Sequence, residues 1–376
     1  MKQLQRYGAL AGAALIGMSA LSACGSDNNG ASSAPTSAAA AGGSSSAAAT
    51  SAIACASGTL AMAGSTAQTN AISQWTKDYQ QACSGATINY TANGSGAGVT
   101  SFTNGQALVA GSDYPLSSTQ QPTANTHCGS GSTAIDIPAV PGAIAIIFNV
   151  PGVTTLNLSA KNLVAIFSGT ITNWNDAAIK ADNPSANLPN LPIQTFHRAD
   201  TSGTSFNFSN YLNGLVSTAP AANKQFPYTA GTGETGSSAL AAKVKATSGG
   251  IGYAEYSYAT SNSLSYAEVS NASGAFVPLT QTNANNFIAK AKVAQTGSDT
   301  RLNFDYTYAD PAAYPAVLVT YEIVCSSGNA GNAALIKGFL NYVVSPAAQG
   351  ELTGLGYVPL PSAIATADAT AISSIS

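Results

Sequence analysis

Charged residues are scarce in this chain. Only 8% of its 376 residues are Asp, Glu, Lys or Arg, against about 25% in an average soluble domain. The formal net charge is −3 and no basic run occurs. Nucleic-acid binding is thereby excluded, since it needs clustered Lys and Arg to neutralise phosphates. Histidine occurs twice, at His127 and His197, so a Ser-His-Asp triad or a two-histidine metal site is hard to assemble. His197 should face away from any ligand of its neighbour Arg198 by strand alternation, and His127 reads as an exposed loop residue. No Cys-x-x-Cys spacing exists, which disfavours zinc. A Walker lysine is missing as well, and the reading implies no metal and no cofactor. One G-x-G-x-x-G match, Gly231-Thr232-Gly233-Glu234-Thr235-Gly236, follows a Pro-containing stretch instead of a clear strand, so it reads as a coincidence.

Long apolar runs are missing too, with one exception. After Lys2 and Arg6, the stretch Ala9 to Leu21 is apolar, too short for a comfortable membrane span, and ends in small residues. That is the pattern of a secretory signal, residues 1–23. Its end, Leu21-Ser22-Ala23-Cys24, resembles the bacterial lipobox, in which Cys24 receives the lipid. Several acyl chains there would hold the protein at a membrane surface. Residues 24–52 are then Ser, Ala, Gly, Thr and Asn with almost no charge, a flexible tether by composition. The globular part begins near Ile53. Roughly 320 residues exceed one comfortable core, so two lobes are expected.

Cys55, Cys83, Cys128 and Cys325 remain. In an exported chain they suggest two disulfides, with three connectivities open. The preferred pairs are Cys55–Cys83, at one edge of a βα unit, and, mainly by elimination, Cys128–Cys325.

Thr59 to Ala63 reads as a buried strand, and Ile72, Trp75, Tyr79 and Ala82 recur at helical spacing. Ile88, Tyr90 and Ala92 alternate as in a strand. A helix around Val99 and Phe102 and a strand over Leu108 to Ser112 follow. Further strands are expected at Ala143 to Val150, Ile193 to His197 and Tyr314 to Cys325. Helices are expected at Leu163 to Phe167, after Thr204, and at Ala333 to Val344. This βαβα rhythm argues for an α/β fold with doubly wound sheets.

Three times a strand ends in a small-residue turn feeding a helix: Gly64-Ser65-Thr66, Gly94-Ser95-Gly96 and Ser202-Gly203-Thr204. The first turn of a helix leaves N–H groups unpaired and favours negative charge. Glycine admits a ligand to the backbone, and hydroxyls add donors. Any one such turn is usually a plain N-cap; three together point to an anion. Arginine sharpens this. Apart from Arg6 the chain holds only Arg198 and Arg301, and Arg198 ends a strand just before the third turn. Its guanidinium can fork onto two oxygens of an oxyanion, with Asp200 orienting it from behind.

These segments, with Gly111-Ser112-Asp113-Tyr114-Pro115-Leu116, Gly169 to Asp176, His197 to Thr204, Gly249 to Tyr256 and Gly356 to Pro361, resemble the successive signatures of the PstS phosphate-binding family. The resemblance runs from about residue 58 to 361. It implies a two-lobed type II periplasmic binding protein fold, each lobe a mixed sheet flanked by helices, with two hinge crossings between lobes. Lobe 1 is then residues 53–148 plus 314–376, and lobe 2 is 149–313. On matching positions it implies phosphate binding by Thr66, Ala67, Ser95, Asp113, Arg198, Asp200, Ser202, Gly203 and Thr204. Ala67 stands where many relatives carry an aromatic residue and would act through its N–H. Thr201 replaces a common glycine, which would strain it if that position needs positive φ. The implied function is extracytoplasmic phosphate capture, without catalysis, by a lipid-anchored monomer on the outer face of the cytoplasmic membrane. The implied partners are the membrane subunits and ATPase of an ABC importer.

The chemistry is coherent. Phosphate near neutral pH keeps a proton that an ionised Asp113 can accept, whereas sulfate has none and would meet a carboxylate in a dry site. The alternatives are a secreted phosphate-ester hydrolase, a same-fold receptor for another tetrahedral oxyanion, and a surface adhesin.

Overall fold

The computed structural model describes residues 53–376 apart from position 330. The expected signal, Cys24 and the tether lie outside the described residues. Strand β1 (Gly58–Gly64) passes through Ser65-Thr66-Ala67 into α1 (Thr69–Ala82), which buries Ile72, Trp75 and Tyr79. Then β2 (Ala86–Ala92), α2 (Ser95–Thr103) and β3 (Val109–Ser112) repeat the unit. β1 lies between β2 and β3, parallel to both. Helix α3 (Gln121–Cys128) follows, with Pro122 in its first turn, where a missing N–H is harmless. His127 therefore sits in a helix, half-buried and edge-on to the Phe102 ring at 4.9 Å, not in an exposed loop. The sequence reading missed α3 because its small polar residues carry no apolar period.

Strand β4 runs Ala134–Asn149, buried along almost its whole length. The sequence pattern predicts only its second half, from Ala143; the first half carries Pro138 and Pro141, residues that ordinarily demote a strand. Both prolines are accommodated opposite a partner strand whose register shifts between Thr320 and Tyr321.

Beyond β4 come β5 (Asn157–Leu158), α4 (Ala160–Phe167), α5 (Ala177–Asp182), β6 (Gln194–Arg198) and α6 (Gly203–Leu215). Asp176 caps α5, accepting the Ala178 N–H at 2.8 Å. Next are β7 (Thr232–Glu234), α7 (Gly236–Ala246), β8 (Gly250–Glu255), α8 (Tyr256–Ser261) and β9 (Ser265–Tyr266). Strands β10 (Glu268–Ser270) and β11 (Phe276–Val277) join β5 in a side sheet, and α9 (Gln281–Ile288) follows. A hairpin of β12 (Lys292–Thr296) and β13 (Asp299–Asn303) precedes β14 (Val317–Cys325). Helices α10 (Ala333–Val343), α11 (Pro346–Glu351) and α12 (Ser362–Ser373) end the chain.

The main sheet has the order β2-β1-β3-β14-β4-β8-β6-β7, with β9 also on β4. Its middle strands change company along their length. β4 pairs with β14 through Ala143 and with β8 from Ile144 onward. Ile135, Ile137 and Val140 of β4 belong to a core built with α1 and α10, whereas Ile144 to Phe148 belong to a second core with α4, α6 and α7. β14 does the same, with Val317 and Leu318 in the second core and Val319, Tyr321 and Val324 in the first. The molecule is thus a two-lobed α/β protein whose lobes share two strands.

The β12–β13 hairpin lies on the first core. Leu302 packs there, its N–H reaches Tyr321 Oη at 3.0 Å, and Arg301 bridges Asp299 at 2.8 Å and Asp136 at 3.1 Å. Arg301 is thereby a structural residue of this hairpin. Two disulfides tie this lobe: Cys55–Cys83 joins the first core, and Cys128–Cys325 joins a smaller cluster with Val99, Phe102 and Ile323, with Cα separations of 5.2 and 5.4 Å. Among the described residues no helix is long and apolar enough to cross a membrane.

Candidate functional site

All three small-residue turns converge on one cleft between the lobes, and the loop after β3 joins them. From the first lobe, the β1–α1 turn brings Ser65 and Thr66, the start of α2 brings Ser95, and the residue after β3 brings Asp113. From the second lobe come Arg198 at the end of β6, Asp200, and the start of α6 at Gly203. Ser202 caps α6, accepting the Ser205 N–H at 3.2 Å.

Asp113 is 3% exposed and ringed by hydroxyls. Ser65 Oγ and Thr320 Oγ1 donate to its Oδ1 at 2.6 and 2.7 Å, and Ser95 Oγ donates to Oδ2 at 3.0 Å. Burial raises its pKa to about 6; the hydroxyls oppose that rise and the Glu255 charge adds to it. At neutral pH Asp113 is therefore ionised and acceptor-only.

Arg198 is 2% exposed. Its Nε donates to Asp200 Oδ1 at 2.7 Å and Nη2 to Asp200 Oδ2, a side-on pair. Nη1 points the other way, to Ser237 Oγ at 3.0 Å and Thr204 Oγ1 at 3.3 Å. Asp200 also accepts the Gly236 N–H at 3.1 Å. Burial alone would push the Asp200 carboxyl up, but Arg198 outweighs it and holds it below its ordinary value. A surface ion pair would be nearly worthless; this one is buried and oriented, with Asp200 behind the guanidinium.

The cleft is drawn together by bonds across it. Gly96 N–H donates to Thr201 O at 3.0 Å, Asn207 Nδ2 to Asp113 O at 2.6 Å, and Tyr258 Oη to Thr66 O at 3.0 Å. At the rim, Lys224 Nζ reaches Gln120 Oε1 at 3.0 Å and lies 4.4 Å over the Tyr114 ring. A rim groove of about 530 Å³ opens beside these residues, lined by Asn93, Thr100, Tyr114 and Lys224 among others.

Thr66, Ser95, Asp113, Arg198, Asp200, Ser202, Gly203 and Thr204 thus meet in one place. Ala67 sits on the same turn, but its N–H is given to Ser65 Oγ at 2.9 Å. Thr201 has no positive φ, the only non-glycine with one among the described residues being Ser263, so its backbone is unstrained. His197 turns aside and stacks on Phe226 at 4.7 Å.

The sequence reading missed several members. Ser65 and Thr320 hold Asp113. Glu255, fully buried at the end of β8, accepts the Thr204 hydroxyl at 2.6 Å. Ser237 contacts both Arg198 and Thr66 Oγ1, the latter at 3.0 Å. Its signal was the discounted Gly231–Gly236 motif, which forms β7 and turns into α7. Glu322, one strand away on β14, is fully buried. Burial raises its pKa to about 8, the Gln68 amide opposing and the Asp113 charge adding.

Buried acceptors and hydroxyls facing one buried arginine across a two-lobed cleft define a solute-binding receptor for a small anion. The sequence matches the family described as the PBP superfamily domain over residues 49–347. The chain is 38% identical to phosphate-binding protein PstS 3 of Mycobacterium tuberculosis, across 99% of this chain and 100% of that protein. With PstS 2 of the same organism it shares 40% identity over 83% of this chain and 86% of the relative. The chain belongs to the PstS family. Two solved structures share its fold at lower identity. One is the periplasmic phosphate-binding protein PfluDING with phosphate bound, at TM-score 0.67 and 22% identity, covering 82% of this chain and 92% of that one. The other is a phosphate-binding protein from Stenotrophomonas maltophilia, at TM-score 0.62 and 21% identity, covering 84% and 93%.

Proposed function

We propose that this chain captures inorganic phosphate outside the cytoplasm and hands it to an ABC importer. The observation that carries the reading is Asp113, an acceptor-only carboxylate set among hydroxyls, facing the guanidinium side of the cleft through Gly203. A fully deprotonated anion would meet that carboxylate unpaired; a phosphate that keeps a proton gives it a hydrogen bond. The ligands in this reading are Thr66, Ala67, Ser95, Asp113, Arg198, Ser202, Gly203 and Thr204, with Asp200 holding Arg198. Ala67 serves only if its N–H leaves Ser65. The α6 N-terminus adds unpaired N–H groups.

The lobes in this reading are residues 53–148 with 314–376, and 149–313, except that the β12–β13 hairpin inside the second stretch packs back onto the first lobe's core. The change of partners along β4 and β14 supports a hinge there. Closure of the lobes would exclude water and strengthen each bond. The chain acts as a monomer, exported and held to the membrane by lipid on Cys24; the two disulfides support export. Its role is delivery, not turnover.

Equilibrium dialysis of ligand-stripped protein lacking residues 1–24 tests this directly. The expected result is one phosphate bound per chain, with no hydrolysis of a chromogenic phosphate ester. A folded chain that binds no phosphate, or that turns over the ester, contradicts the reading. Cys24→Ala should move the full chain from the membrane fraction to the soluble one.

A further inference from the structure

The Gly231–Gly236 turn, which fits no nucleotide site, delivers a hydroxyl to the anion cleft. Ser237 is the second residue of α7 and is 1% exposed. Its Oγ accepts Arg198 Nη1 at 3.0 Å and lies 3.0 Å from Thr66 Oγ1. Its backbone N–H also donates to Thr66 Oγ1, at 3.3 Å. Ser237 therefore hydrogen-bonds both the arginine of the second lobe and a hydroxyl of the first lobe's anion turn.

We propose that Ser237 is a positioning residue that relays the Arg198 charge across the cleft and makes the Thr66 hydroxyl an obligatory donor to the bound anion. The inference rests on the phosphate-binding reading above. Its logic is a count of protons. A guanidinium only donates, so Arg198 fills one lone pair of Ser237 Oγ. That polarises the Ser237 O–H and makes it the better donor of the pair. Thr66 Oγ1 then accepts twice, from the Ser237 O–H and N–H, and both its lone pairs are filled. The only thing left for Thr66 to do is to donate its own proton, and the cleft is where the anion would take it. In the opposite orientation the spare proton would sit on Ser237 instead of on the first lobe's anion turn.

The second branch of Nη1 shows what this relay avoids. There Thr204 Oγ1 receives the guanidinium at 3.3 Å but gives its proton to Glu255 Oε1 at 2.6 Å. That hydroxyl is consumed by a carboxylate, so Thr204 serves an anion through its backbone. One branch of the arginine ends on an acceptor; the Ser237 branch ends on a donor aimed at the ligand.

The test is a double-mutant cycle on phosphate affinity by calorimetry, in the whole chain lacking only residues 1–24, with thermal melts to check folding. Ser237→Ala should weaken phosphate about threefold, because Thr66 keeps its proton but loses the donor that polarises its hydroxyl, and the ligand-free melt checks that the chain still folds. In the background of the isosteric Thr66→Val, the same Ser237→Ala change should cost almost nothing, because its effect runs through the Thr66 proton. Equal losses in both backgrounds would assign Ser237 a purely structural role and overturn the inference. So would a Ser237→Ala chain that binds like the unaltered one. If the unaltered chain bound no phosphate, the functional reading itself would fall, an outcome distinct from either of these.

Discussion

Gly203 and Asp113 touch across the cleft so closely that a Cβ on Gly203 would lie 2.4 Å from Asp113 Cβ, 2.5 Å from its Oδ2 and 2.7 Å from Ser95 Oγ. These atoms belong to opposite lobes, so the missing side chain is what allows the lobes to meet. Gly203 opens α6, where alanine is otherwise welcome. Gly203→Ala should therefore lower the ligand-free melt only slightly, the lobes parting to admit the methyl group. Phosphate affinity should fall on the order of a hundredfold, from the clash in the closed form. Calorimetry beside a thermal melt reads both; a variant that binds normally would mean the lobes do not close on this contact.

Asp113 sets a pH limit on selectivity. Its pKa of about 6 means that above pH 6 it accepts the ligand's proton and repels a fully deprotonated anion. Below that it carries its own proton and can donate to sulfate. The ratio of sulfate to phosphate dissociation constants should hold steady from pH 8 to 7 and shrink as pH falls through 6. Competition titrations across that range check it, and a ratio independent of pH would remove Asp113 from the selectivity mechanism.

Two buried acids, Asp368 and Glu322, should tie stability to pH. Neither carboxyl oxygen of Asp368 has a hydrogen-bond partner, and burial raises its pKa from 3.8 to about 8. Glu322 moves from 4.5 to about 8, mainly by burial. A folded pKa above the unfolded one means the folded state holds the proton longer, so stability falls as pH rises from about 4 to about 8. The stability of Asp368→Asn relative to the unaltered chain should rise through that window and level off above it. Melts at pH 5, 7 and 9 measure this; a constant difference would mean Asp368 is not held protonated by the fold.

The disulfides differ in what they constrain. Cys55–Cys83 spans 28 residues of sequence and Cys128–Cys325 spans 197. Loop-closure entropy puts them at about 3.6 and about 5.3 kcal/mol. Replacing the second pair with Ser should lower the denaturation midpoint more than replacing the first. The opposite order in urea melts would show that residual structure in the unfolded chain, not loop length, controls the difference.

Much of this was legible in the sequence because the chain is so poor in charge. With one arginine for the cleft, Arg198 and its Asp200 partner stood out, and hydroxyl turns after strands marked the helix starts that surround it. The lobe-linking strand was half hidden, because Pro138 and Pro141 read as breaks. The structure absorbs them where the partner strand shifts register. Glu255, Thr320 and the role of Ser237 are hidden for a different reason. Each acts on another site residue across a long sequence separation, and no local pattern records which hydroxyl a buried Glu or Ser will reach. The Gly231–Gly236 motif shows the converse error: its glycines do shape a helix start at an anion site, but in this fold that site is the cleft.

The central claim is that Asp113 selects an anion that still carries a proton. The most direct measurement is a pair of calorimetric titrations at pH 7.5, phosphate and sulfate, on the unaltered chain and on Asp113→Asn. The account predicts tight phosphate binding and no measurable sulfate binding to the unaltered chain. In Asp113→Asn, phosphate should weaken about ten- to hundredfold and sulfate should begin to bind. Sulfate binding equal to phosphate in the unaltered chain, or unchanged discrimination in Asp113→Asn, would contradict it.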